Sequence, residues 1–251
     1  MLEALIYSLL SLLIISLISL LGIFTLAIKS EKLEKILIYM IAFSAGGLLG
    51  DSFIHLLPEA TLLGFNFKIS SFILLGIIFT FSIEKIVHWR HCHHPTTQQH
   101  PHHLSTMNLI GDGVHNLIDG IIIAASYLVS ISLGIATTLA VIFHEIPQEI
   151  GDFGILIYSG LSKSKALLFN FLISLSAFLG AFLVIIIGIN YNNILLYILS
   201  FTAGTFIYIA CSDLIPELHK DKEVKIKRAI GQITSFIIGI LIMVGLKLIF
   251  S

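Results

Sequence analysis

Seven ionisable side chains fall inside two apolar stretches near the middle of this chain, and their types and spacing suit metal ligation. Asp112, His115 and Asp119 stand in Gly-Asp-Gly-Val-His-Asn-Leu-Ile-Asp-Gly, and His144, Glu145, Glu149 and Asp152 in His-Glu-Ile-Pro-Gln-Glu-Ile-Gly-Asp. On a helix, positions i and i+4 share a face, so His115 lies above Asp119 with Asp112 one turn away, and His144 lies over Gln148. Asn116 and Glu145, each one position on, are turned by about 100° and form an adjoining set with Glu149 beside Glu145. Two helices that each offer an imidazole and an oxygen ligand at this spacing build a four-ligand N/O site where their faces meet. With the neighbouring carboxylates and amides, the group can hold two divalent ions. The competing reading is a structural hydrogen-bond network, or a proton relay without metal.

These side chains are expensive where they stand. An ionisable group at the centre of a membrane helix costs about 2.5 to 3.5 kcal/mol on insertion scales, so seven together exceed roughly 15 kcal/mol, more than a typical protein's net stability. They must face one another, water or a cation. Pro147 has no N–H for the carbonyl of Phe143, so its helix should kink there and free polar backbone within the bundle. Gly111, Gly113, Gly120, Gly151 and Gly154 bracket the polar residues and let helices approach closely.

The elements that position these groups are membrane helices. The 251 residues are 57% hydrophobic and only 12% charged, against about 25% charged in a soluble domain, and the mean hydropathy is +1.01. Apolar stretches of about 20 residues, each enough to cross a hydrocarbon core, recur along the whole length. Long Ile- and Leu-rich runs without period-2 alternation argue against a membrane β-barrel. Spans are expected at about 4–28, 36–57, 69–87, 105–128, 134–159, 165–188, 193–216 and 229–250. This is an all-α polytopic membrane protein of eight transmembrane helices forming a single transmembrane domain, 1–251. The first span, uncharged from Ala4 to Ile28, exceeds the apolar region of a cleavable signal sequence and is read as permanent.

Charge decides the sidedness. Twelve of the 14 basic residues fall after spans one, three, five and seven, leaving only Lys68 and Lys247 on the other side. The positive-inside rule then puts both termini outside the cytoplasm. A formal net charge of −1 leaves no basic surface for nucleic acid, and Cys92 and Cys211 give no disulfide framework.

An internal repeat adds a second constraint. Ser44-Ala45-Gly46 followed by His55-Leu56-Leu57-Pro58-Glu59 in span two aligns without gaps with Thr202-Ala203-Gly204 and Asp213-Leu214-Ile215-Pro216-Glu217 in span seven. The two spans cross in opposite senses, and inverted repeats mark alternating-access carriers with a midplane site. Asp51, His55 and Asp213 from these spans, with Asp112, Glu149 and Asp152, are candidates for a metal pathway to that site. Residues 88–104 form a His-rich loop between spans three and four, cytoplasmic by the charge rule. Its His91, His93, His94, His100, His102 and His103 are candidates for weak metal binding without defined geometry.

The chain resembles the ZIP (Zrt-, Irt-like) metal transporters, and within them the LIV-1-type branch. The resemblance rests on His115-Asn116-Leu117-Ile118-Asp119-Gly120, on His144-Glu145-Ile146-Pro147-Gln148-Glu149-Ile150-Gly151-Asp152-Phe153, and on Ser-Ala-Gly-Gly through His-Leu-Leu-Pro-Glu-Ala in span two. It implies an inverted-repeat bundle with extracytoplasmic termini and a binuclear centre between spans four and five. One site would be His115, Asp119, His144 and Gln148; Asn116, Asp119, Glu145 and Gln148 would contribute to the second. In part of the family a carboxylate replaces Gln148 and another comes from span six, whereas span six here has none between Leu167 and Ile187. The second site is thus less anionic than in those relatives.

The expected activity is transport of a divalent cation into the cytoplasm, most readily Zn²⁺, at the cell membrane. Imidazole, carboxylate and amide donors without thiolate suit zinc, with Fe²⁺, Mn²⁺, Co²⁺ and Cd²⁺ as alternatives. No organic cofactor is called for; the partners are the metal ion and the bilayer, and a homodimer is the candidate assembly. The rival is an intramembrane metal-dependent hydrolase, since zinc with an open position activates water. Against it, His-Glu-Ile-Pro-Gln has Gln148 where the HExxH motif has its second histidine.

Overall fold

In bilayer the backbone must satisfy its own polar groups, which leaves helices as the outcome for apolar runs of this length. The computed structural model describes residues 2–25, 30–62, 64–89, 101–190, 192–219 and 226–250. Among the described residues eight helices are long and apolar enough to cross a membrane: α1 (Leu2–Leu21), α2 (Lys35–Ala60), α3 (Phe67–Ile86), α4 (Asn108–Val129), α5 (Ile131–Ile157), α6 (Lys163–Ile186), α7 (Ile194–His219) and α8 (Ile226–Ile249). Among the described residues there is no strand. The eight-span, all-α reading of the sequence holds, with ends moved by a few residues.

The bundle is assembled from close helix pairs. In α2 and α8, a Cβ on Gly46 would strike the carbonyl of Phe236, and one on Gly239 the carbonyl of Phe43. In α7 and α3 the same reciprocal contact joins Gly204 to the carbonyl of Ile73 and Gly76 to that of Phe201. Phe43 and Gly46 of α2 correspond to Phe201 and Gly204 of α7 in the repeat, so both halves pack a partner helix through the same backbone notch. Small residues allow this because lipid supplies no hydrophobic drive between helices and close van der Waals contact must replace it. A third reciprocal notch joins α4 to α6, through Gly120 on the carbonyl of Ala177 and Gly180 on that of Leu117. Helices α1, α4, α5 and α6 form one packed group, and α2, α3, α7 and α8 the other.

The repeat extends to a backbone irregularity. Asp51–Leu56 of α2 and Ile209–Leu214 of α7 are π turns, at the same displacement as Ser44 from Thr202. Each ends two residues before a proline, Pro58 or Pro216. A proline ring crowds the carbonyl four residues earlier and cannot bond to it, and widening the helix relieves both problems.

One short connection fixes the geometry that matters for the site. Only Ser130 separates the helix Pro101–Val129 from Ile131–Tyr158, which makes α4 and α5 antiparallel neighbours. Ser130 N-caps α5, its Oγ accepting from the Leu133 N–H at 3.1 Å. Pro147 lies inside the continuous helix of α5, where the sequence points to a kink. The freed carbonyl of Phe143 instead accepts a hydrogen bond from the Ser44 hydroxyl of α2, which also lies 2.8 Å from the carbonyl of Met40.

Candidate metal centre

The α4 and α5 faces carrying the two histidines meet. His115 Nε2 lies 3.1 Å from His144 Nε2, 3.3 Å from Glu145 Oε1 and 3.8 Å from Asp119 Oδ2. His144 Nε2 lies 3.5 Å from both Asp119 Oδ2 and Glu145 Oε1. Zinc bonds of about 2.0 to 2.1 Å require tetrahedral ligand atoms roughly 3.3 Å apart. These five distances lie close to that edge length, and the remaining pair, Asp119 and Glu145, offers ligand atoms within 4.8 Å of each other, so the group can close into a tetrahedron about one ion. Among the described residues this is the one group of three or more His, Cys, Asp or Glu whose ligand atoms all lie within 4.8 Å of one another.

The surroundings suit a cation. Asp119, His144 and Glu145 are almost wholly buried, and the His115 side chain, 22% exposed, is the only corner with access. Among the described residues neither oxygen of Glu145, nor Oδ2 of Asp119, has a hydrogen-bond partner; buried open acceptors are costly, and a metal ion satisfies them. His144 Nδ1 lies 3.1 Å from the Ala140 carbonyl. That bond places the proton on Nδ1 and turns the Nε2 lone pair inward, the usual outer-shell arrangement of a metal-ligating imidazole. The ring of Phe206 from α7 stands edge-on to His144 at 5.9 Å and closes that side.

The other residues singled out from the sequence have different settings. Glu145, which spacing assigns to the adjoining set, supplies the fourth corner, and Gln148 is partly exposed one turn beyond His144. Asn116 donates to Asp112 Oδ1 at 2.7 Å. In α2, Asp51 Oδ2 accepts from Thr137 of α5 at 3.1 Å, and His55 Nε2 donates to the Met243 carbonyl at 2.9 Å. Asp152 is half-buried, and Asp213 is exposed in the π turn of α7. His91, His93, His94 and His100 lie outside the described residues, and for His102 and His103 only helical backbone is described. Sequence reasoning missed Asn170 of α6, whose fully buried amide donates to Glu149 and, at 3.4 Å, to the Ser19 carbonyl. Its signal was a lone amide in an otherwise apolar span.

Residues 2–106 and 103–247 match the family model described as "ZIP Zinc transporter". The chain belongs to the ZIP family. It is a family of transporters, not enzymes, and the chain is an integral multi-pass membrane protein. Among similar proteins, mouse "Zinc transporter ZIP10" is 40% identical over 119 residues, 47% of this chain and 14% of that protein. Human "Zinc transporter ZIP6" is 41% identical over 119 residues, covering 47% of this chain and 16% of its own length. "Zinc transporter zipt-7.1" of Caenorhabditis briggsae is 30% identical over 242 residues, 71% of this chain and 61% of that protein. The chain therefore spans a small part of the ZIP10 and ZIP6 relatives and about three-fifths of the nematode one.

Proposed function

We propose that this chain carries divalent metal cations, zinc foremost, across the cell membrane into the cytoplasm. His115, Asp119, His144 and Glu145 hold the ion in transit, with Asn116 and Gln148 beside them. The observation that carries this reading is the tetrahedron of two imidazole nitrogens and two carboxylate oxygens inside a membrane bundle. Its donors suit Zn²⁺ and also admit Fe²⁺, Mn²⁺, Co²⁺ and Cd²⁺. Membership of the ZIP family supports transport as the use of the site.

The two packed groups support alternating access as the mechanism. The α1–α4–α5–α6 body carries the centre, and α2–α3–α7–α8 forms the scaffold. Polar links between them include Ser44 to the Phe143 carbonyl and Thr137 to Asp51, which must be exchanged as the bodies slide. Asp51 and His55 lie toward the outer end of this path; Asp112, Glu149, Asp152 and Asp213 lie toward the inner end. The His-rich segment 88–104, whose ends the helices Phe67–Trp89 and Pro101–Val129 take up, then collects released metal in the cytoplasm. Outside placement of both termini follows from the distribution of basic residues. The hydrolase reading gains nothing from the geometry, because four protein ligands leave no position for the activated water that catalytic zinc needs.

The test is zinc entry into sealed proteoliposomes containing an internal zinc dye, compared with protein-free vesicles and with His144→Ala. Saturable entry that the substitution abolishes is the expected result. Entry no faster than in empty vesicles, with folded protein in both orientations, refutes it.

A further inference from the structure

Ser44 and Thr202 hold the same place in the two inverted repeats, yet their hydroxyls are in opposite conditions. Ser44 of α2 reaches across to the metal-bearing body, its Oγ donating to the Phe143 carbonyl of α5 that Pro147 leaves without an N–H. Thr202 of α7 is fully buried, and its hydroxyl has no hydrogen-bond partner among the described residues, not even the carbonyl one turn back in its own helix. A buried idle hydroxyl is costly, and nothing in this arrangement of the helices uses it.

The faces of the two helices match as well. Gly46 and Gly204, two residues after each hydroxyl, sit in the backbone notches against α8 and α3. Two residues turn a helix by about 200°. Each hydroxyl therefore points away from its notch partner, Ser44 toward α5 and Thr202 toward the side of α7 on which α4 packs. The motifs of α4 and α5 correspond in turn, His115 and Asn116 with His144 and Glu145, and Asp119 with Gln148. Phe143, the residue before His144, thus has Val114, the residue before His115, as its counterpart.

The engaged hydroxyl goes with the side on which the centre is open. Residues 122–127 in the outer half of α4 are all buried, whereas Gly151 and Gly154 in the inner half of α5 are exposed, with nothing within 4 Å of a Cβ on either. The bundle is open toward the end that the basic residues place in the cytoplasm. In a carrier of two inverted halves, a contact made by one half with the site open inward is made by its counterpart with the site open outward.

We propose that Ser44 and Thr202 are alternating positioning residues for the two metal-bearing helices. Ser44 holds the Phe143 carbonyl of α5 while the centre opens inward, and Thr202 takes the Val114 carbonyl of α4 when it opens outward. This rests on the reading of the chain as an alternating-access carrier. The exchange costs Ser44 little, because its hydroxyl also lies 2.8 Å from the Met40 carbonyl of its own helix and falls back on it when the bodies move. A helical carbonyl has a second lone pair, so Val114 accepts from Thr202 without giving up its backbone bond.

Double electron–electron resonance on the full chain reads the exchange. Spin labels go on Leu168→Cys at the inner end of α6 and Phe67→Cys at the outer end of α3, both exposed, with Cys92→Ser and Cys211→Ser. Outward sliding of the metal-bearing body brings the labels closer, so the outward state is a second, shorter distance. Ser44→Ala should raise the ratio of short to long distances about fivefold or more, and adding Thr202→Val should return it to the original value or below. Ser44→Thr and Thr202→Ser, which keep the hydroxyls, should leave the ratio within about twofold. A ratio that Ser44→Ala does not move, or a raised ratio that Thr202→Val leaves unchanged, overturns the proposal. Should Ser44→Ala fail to fold, Thr202→Val alone decides: zinc entry into proteoliposomes should slow several-fold with zinc-dye affinity unchanged, and entry at the original rate overturns it. Absence of zinc entry with the unsubstituted chain would instead count against the carrier reading.

Discussion

His115 with Asp119 in α4, and Asp51 with His55 in α2, present the same pattern: an imidazole and a carboxylate four residues apart in an apolar helix. Their settings differ completely. The α4 pair sits in regular helix, faces a second His and carboxylate from α5, and has acceptors left open. The α2 pair sits in a π turn, where positions four apart no longer superpose. Its members face no second His and carboxylate: Asp51 accepts from Thr137 through Oδ2, keeping Oδ1 open among the described residues, and His55 donates to the Met243 carbonyl. On the proposed reading, a metal centre needs a matching pair from a second helix; spacing within one helix is insufficient.

The largest expected effect that follows from this contrast is on zinc affinity. His144→Ala removes a corner and should weaken zinc binding by more than about 100-fold, beyond the roughly 10- to 100-fold typical of outer-shell losses. His55→Ala should change it less than about threefold, because that imidazole serves a backbone carbonyl. Competition with a zinc dye on purified protein measures both, and equal losses would erase the distinction between the pairs.

Acidity offers the next largest effect. Metal and protons compete for the imidazole lone pairs, so zinc affinity must fall as pH falls. Between pH 7.5 and 5.5 the loss should be at least about tenfold, because two imidazole ligands must give up any protons they hold before the metal binds. Titrations of the dye competition at both pH values check it, and a flat response would mean that neither imidazole binds the metal.

How much of this arrangement was legible beforehand depends on whether one helix sufficed to read it. The eight spans follow from run length, and the repeat from Ser44 to Glu59 against Thr202 to Glu217 is visible by alignment. The choice of Glu145 as the fourth corner was not visible, because the angle at which α4 meets α5 decides whether position 145 or 148 faces His115. Asn170 was hidden for a related reason: its partners are on α5 and α1, and its own helix offers no periodic companion. The three intramembrane prolines show the same limit. Pro58 and Pro216 are relieved by widening their own helix, whereas Pro147 is relieved by a hydroxyl from another.

That last difference yields the smallest pair of predictions. Ser44→Ala leaves the Phe143 carbonyl without its hydrogen bond and should destabilise the protein by about 1 to 3 kcal/mol. Thr202, its counterpart in the repeat, is buried with a hydroxyl that has no hydrogen-bond partner among the described residues. Thr202→Val should accordingly be neutral to within about 0.5 kcal/mol, since no bond is lost and shape is nearly kept. Thermal unfolding in one detergent compares the two, and equal shifts would show that the link between the bodies contributes nothing special.

The central claim is a closed centre of two imidazoles and two carboxylates, and X-ray absorption at the zinc edge tests it most directly. Zinc-loaded protein should show four light-atom ligands at about 2.0 to 2.1 Å with imidazole scattering and no sulfur, and His144→Ala should lower the imidazole contribution by half. A six-coordinate, oxygen-only spectrum, or one unchanged by that substitution, would contradict the claim.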